Sequence, residues 1–111
     1  MKIVSINITN NPSIVKFELD EFIVKAENFE FKNIDETKQS PLAMQLFYLP
    51  FVKTVYISGN FIAIEKFSIV EWEDVQDDVA NQINEFIANG GNILKIEATQ
   101  NKKQPVTIYA E

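Results

Sequence analysis

The residues best suited to chemistry in this chain are carboxylates. Glu71, Glu73, Asp74, Asp77 and Asp78 crowd one stretch. If that stretch is helical, Glu73 and Asp77 share a face, as do Asp74 and Asp78, because side chains four apart are neighbours on a helix. Oxygen ligands converging in this way suit a hard divalent cation. The stretch has neither the ligand pattern nor the glycine turn of a calcium loop, and acids near a helix N-terminus are equally explained by the helix dipole. As a general acid and base they lack the unequal environments that such a pair needs.

Other reactive chemistry is closed off. The chain contains no cysteine and no histidine. Disulfides, thiolate nucleophiles, cysteine-ligated clusters and ordinary zinc sites each need a sulfur or an imidazole nitrogen, and serine triads lose their usual proton shuttle. No residue is assigned as catalytic, cofactor-binding or metal-ligating, and the chain reads as a non-enzyme.

A second group of residues can act by contact. Tyr48, Phe51, Tyr56, Phe61 and Phe67 lie in and around a segment that reads as a β-hairpin, with Gly59 and Asn60 as a two-residue loop. That loop pairs Ile57 with Ile62 and Val55 with Ile64 on one face, and Tyr56 with Ala63 and Thr54 with Glu65 on the other. Tyr56 and Phe61 then point away from the aliphatic face, and Phe51 sits at a turn. Exposed aromatics mark partner sites unless other elements cover them, so Phe51, Tyr56, Phe61 and Phe67 are the interface candidates. Lys16, Lys53 and Lys66 also fall on strands, where lysine usually serves solubility and guards edges.

The elements that must hold these residues follow from periodicity. Val4, Ile6 and Ile8 alternate in a first strand, Thr9-Asn10-Asn11-Pro12 breaks it, and Val15, Phe17 and Leu19 line a second. Phe29 and Phe31 flank Glu30 in a third. Ser40 before Pro41 starts a helix, carried by Leu42, Leu46 and Leu49 until Pro50. Ser68-Ile69-Val70-Glu71 has capping-box spacing and predicts the start of a second helix. Val75, Val79, Ile83, Phe86 and Ile87 form its apolar stripe, and Asn89-Gly90-Gly91 stops it. Trp72 is expected as a core anchor with its indole N–H bonded at the helix start. The order predicts a two-layer α+β domain over residues 1–96, a largely antiparallel sheet with two helices on one face. Residues 97–111 read as a linker, or the start of a following domain.

At 111 residues and 46% hydrophobic, the chain can bury a core without covalent staples. Sixteen acids against ten bases give a net charge of −6, which disfavours nucleic acid and anionic membrane as partners. No apolar run approaches the roughly 18 residues of a membrane span, and the N-terminus lacks a secretory pattern, so a cytoplasmic-type protein is expected.

Taken together, Asn11-Pro12 with Lys16-Phe17, Ser40-Pro41-Leu42-Ala43 with Leu46-Phe47, Pro50-Phe51-Val52-Lys53, Asn60-Phe61-Ile62 with Lys66, and Trp72 resemble the N-terminal domain of Nfu/NifU-type iron–sulfur scaffold proteins. Asn10 stands where that family usually has a proline, and Phe51 where it often has glycine. The resemblance implies an accessory module whose family keeps its cluster-binding Cys-x-x-Cys on a separate C-terminal domain. It further implies that no cofactor sits in this domain, that its partners are cluster-assembly or cluster-accepting proteins and a cysteine domain in the same chain, and that more domains follow Glu111, with a second copy of this module as one arrangement. The expected function is therefore a non-catalytic protein-interaction domain. Its rivals are a structural or oligomerisation module joined through a strand edge, and a small carboxylate- and metal-dependent enzyme built on Asp74, Asp77 and Asp78.

Overall fold

The alternating runs form five strands, and the order in which they pair sets everything else. The computed structural model describes residues 1–95. Strands β1 (Ile3–Ile8), β2 (Ile14–Leu19) and β3 (Asn28–Phe31) are followed by a single 3₁₀ turn, Ile34–Glu36, and helix α1 (Pro41–Leu46). The hairpin β4 (Val52–Ser58) and β5 (Phe61–Lys66) and helix α2 (Trp72–Ala88) complete the fold. All pairings are antiparallel, and the sheet order is β1-β2-β5-β4-β3. The α+β class and the two helices on one face are as expected. The linker expected at 97–111 lies outside the described residues.

The central hairpin is inserted between β2 and β3, so the chain from β2 to β3 must pass over its tip. It is bonded there. Gly59 holds φ at +54, which a residue without Cβ accepts freely, and its carbonyl receives the amides of Ile23 and Val24. Asn60 accepts from the Leu19 amide at its carbonyl and donates from its side chain to the Leu19 carbonyl, 3.2 Å away. The hairpin register is the one its two-residue loop predicts, and Val55, Ile57, Ile62 and Ile64 are fully buried.

These four, with Val15, Phe17, Leu19 and Phe31, form the floor of the core. Leu42, Ala43 and Leu46 of α1 and Val79, Ala80 and Ile83 of α2 form its roof. Burying apolar surface on this scale is the main stabilising term, at about 25 cal/mol per Å². Ser40 caps α1 as expected: its hydroxyl oxygen accepts the Ala43 amide at 3.0 Å. The same hydroxyl donates to the Ile93 carbonyl at 2.7 Å, tying the segment after α2 to the start of α1. The helix itself ends at Leu46, and tighter turns carry Phe47 to Leu49 down to Pro50.

Four expectations are corrected. In β1 the register slips between Ile3 and Ser5, so Val4 is an extra residue bulged out of the ladder and 57% exposed. Ile3 takes the core-facing role that alternation gave Val4. Ile8 shares the face of its partner Val15 but is 83% exposed, because it overhangs at the end of an edge strand.

The capping box does not form. α2 starts at Trp72 behind Glu71, which makes no side-chain cap, and Ser68 lies four residues upstream. Trp72 decides this start, since its indole packs edge-on against Phe17 and Phe51, at 5.9 and 6.4 Å between ring centres. Its N–H donates to the Ser13 carbonyl, a partner on the β1–β2 loop and not at the helix start. The far end of α2 stops as the glycines predict: Gly90 has φ +85, and the amides of Gly90 and Gly91 return to the carbonyls of Ile87 and Phe86.

Candidate functional site

The pleat that buries one side of the hairpin presents the other. Across the sheet, Asn7, Lys16, Ala63, Tyr56 and Glu30 pair in one row, and Ser5, Glu18, Phe61, Ser58 and Asn28 in the next. A shorter row pairs Ile14, Glu65 and Thr54. Both helices pack on the opposite face, so among the described residues these rows have no second layer over them.

This face is organised by two aromatic rings. Tyr56 and Phe61 lie 6.1 Å apart, and the Lys16 ammonium stands 4.4 Å from the centre of the Phe61 ring. A cation over an aromatic face is held by the ring quadrupole, at about 0.5–1 kcal/mol when exposed. Lys16 thereby leans towards Phe61 and away from its cross-strand neighbour Ala63. Lys53 reaches Glu65 at 3.7 Å, a long pair with an exposed lysine that contributes little to stability.

Ala63 is small, and its neighbours are not. The result is a depression of about 220 Å³ lined by Ile14, Glu30, Thr54, Tyr56, Ala63 and Glu65. Its walls are an isoleucine, a methyl-bearing threonine and a tyrosine ring, and two carboxylates stand among them. No lysine lines it.

The four aromatic candidates separate in the structure. Tyr56 and Phe61 meet on the helix-free face. Phe51 is half-buried against Trp72 on the core side, and Phe67 is 46% exposed at the end of the sheet, its amide donating to the Phe51 carbonyl. Near that end Tyr48 and Ile69 are also exposed. The acids of α2, Glu73, Asp74, Asp77 and Asp78, are all exposed, and among the described residues no group of three or more acidic or soft ligands could hold a metal ion. Lys66 is 9% exposed and pairs in register with Val52, so its alkyl stem extends the core floor.

Ile14 and Glu30 are the members of this face that sequence reasoning did not reach. Alternation in their strands placed them opposite the apolar residues, but only knowledge that β2 and β3 flank the hairpin sets them beside Tyr56 and Glu65.

Among the described residues no helix is long and apolar enough to cross a membrane. Comparison with known proteins points one way. The family described as "Scaffold protein Nfu/NifU N terminal" matches residues 4–90. The chain is 34% identical over 87 residues to the mitochondrial NFU1 iron-sulfur cluster scaffold homolog of Drosophila willistoni, covering 78% of this chain and 30% of that protein. It is 31% identical over 91 residues to a NifU-like protein of Schizosaccharomyces pombe, covering 80% of this chain and 35% of the relative. The chain thus spans about a third of the length of the curated relatives it matches. Among solved structures, a Staphylococcus aureus protein, SAV1430, superposes with a TM-score of 0.65 at 25% identity, over 75% of this chain and 99% of that one. A NifU-like protein of Saccharomyces cerevisiae shares the fold with a TM-score of 0.67 at 24% identity, over 87% of this chain and 89% of that one.

Proposed function

Because this chain belongs to the Nfu/NifU scaffold family through its N-terminal domain, we propose that it works in iron–sulfur cluster handling as a non-catalytic docking domain with no cluster ligands of its own. The observation that carries this reading is the family match on a chain with no cysteine and no histidine. A cluster held by thiolate or imidazole has nothing here to bind. What the domain offers is surface. Its partners are proteins of cluster assembly or cluster-accepting proteins, and a cluster-bearing cysteine domain whose effective concentration a tether to this one would raise. Of the four aromatic candidates, the interface is centred on Tyr56 and Phe61, which lie together on the uncovered face, while Phe51 packs on the core side and Phe67 lies at the end of the sheet. The role does not turn on compartment, and the Drosophila relative is named as mitochondrial.

Anaerobic reconstitution with iron and sulfide tests the reading. The domain is expected to stay colourless and free of iron after desalting, and a chromophore with stoichiometric iron overturns it. A second reading, self-association, is favoured by one observation: the edge strand β1 carries no charged residue and exposes Val4 and Ile8. Light scattering over a concentration series decides that point, with Ile8→Lys expected to abolish any dimer formed through this edge.

A further inference from the structure

We propose that the depression over Ala63 on the helix-free face receives a lysine or arginine side chain from a basic segment of a partner protein. This rests on the docking-domain reading and adds the chemistry of what docks. The shape comes first. In the row Lys16–Ala63–Tyr56–Glu30 the smallest side chain is flanked by long ones, which leaves a hollow of about 220 Å³ on the sheet face.

The lining then selects the occupant. Ile14, Ala63 and the Tyr56 ring offer apolar contact to an alkyl stem, while Glu30 and Glu65 offer carboxylates to a cationic head. The tyrosine face adds attraction for the same cation. Glu65 meets Lys53 only at 3.7 Å, in a pair whose lysine is exposed and whose glutamate is partly buried, and Glu30 is in no ion pair among the described residues. Lys16, the one cation beside Ala63 in the pairing, has its ammonium over Phe61 and is not part of the lining. An acidic segment would meet two like charges, and a purely apolar one would strip water from both carboxylates without replacing it. At long range the net charge of −6 steers basic partners in the same sense.

The test uses the full 111-residue chain, labelled with nitrogen-15, and a blocked nonapeptide in which lysines alternate with valines between glycine-serine ends. Amide shifts are expected to centre on Ile14, Thr54, Tyr56 and Ala63. Glu30→Gln with Glu65→Gln should weaken binding by about tenfold or more, the scale of a lost charge-assisted contact. Ala63→Leu, which fills the hollow and leaves both acids in place, should do the same. Glu73→Gln with Asp77→Asn on α2 should leave the affinity within about twofold, since that pair is on the other layer.

Shifts that centre on α2, equal binding of a peptide with glutamine in place of lysine, or affinity unchanged in both the double glutamine variant and Ala63→Leu would each overturn the proposal. So would a peptide-free shift of Ala63 on Lys102→Gln with Lys103→Gln, which gives the hollow to the chain's own tail, or on dilution, which gives it to a second copy. These failures leave the docking-domain reading standing, because that reading falls on retained iron and not on peptide affinity.

Discussion

The indole N–H of Trp72 donates to the carbonyl of Ser13 at 2.8 Å, joining the first residue of α2 to the loop between β1 and β2 across 59 positions of sequence. The same carbonyl accepts the amide of Lys66, the last residue of β5. One oxygen therefore closes the loop, the end of the central strand and the start of the long helix onto each other.

Trp72→Phe removes the donor and part of the ring but leaves the Ser13 carbonyl bonded to Lys66. The loss is expected at about 1–2 kcal/mol, from packing and one hydrogen bond. Trp72→Ala, which also empties the contacts with Phe17 and Phe51, is expected at about 3–5 kcal/mol. Urea unfolding followed by circular dichroism measures both. Equal effects would mean that the hydrogen bond, and not the ring, holds the helix start.

Two serines that look alike in sequence should respond differently. Ser40 is fully buried and bonded at both ends, so Ser40→Ala strands the Ala43 amide and the Ile93 carbonyl. A cost of about 2–3 kcal/mol is expected. Ser68 caps nothing, and Ser68→Ala should cost under about 0.5 kcal/mol by thermal or urea unfolding.

Gly59→Ala is expected to destabilise by about 1 kcal/mol, because alanine resists the left-handed backbone that the turn requires. Open space surrounds the position, so backbone strain is the only penalty. Gly59→Asn should recover most of the loss, as asparagine tolerates that region. An equal loss for both would show that the turn needs glycine for a reason other than φ.

The two faces of β4 and β5 should separate in mutation. Tyr56→Ser with Phe61→Ser removes a cross-strand aromatic pair and a cation contact, together about 1–2 kcal/mol, and the protein is expected to stay folded with weakened partner binding. Ile57→Ser or Ile62→Ser places a hydroxyl in the closed core and should cost about 3 kcal/mol or more. Dispersed amide spectra distinguish a folded variant from an unfolded one. Unfolding of the Tyr56 and Phe61 variant would assign those rings to the core and end the interface reading.

What the sequence determined by itself was local. Alternation and the Gly59-Asn60 loop set the register of the central hairpin, Ser40-Pro41 set the start of α1, Gly90-Gly91 set the stop of α2, and the missing thiols and imidazoles bounded the chemistry. Each of these depends on residues a few positions apart, where backbone sterics and short hydrogen bonds act without help from the rest of the chain. The tertiary structure alone decided that the hairpin lies between β2 and β3, that Val4 is bulged aside, that α2 begins at Trp72 and not behind Ser68, and that Ile14 and Glu30 join Tyr56 on one open face. Those choices compare whole packings of one sheet against two helices. A strand's alternation states which side it buries but not which neighbour it takes, and a local cap yields when a buried indole finds a better partner 59 residues away.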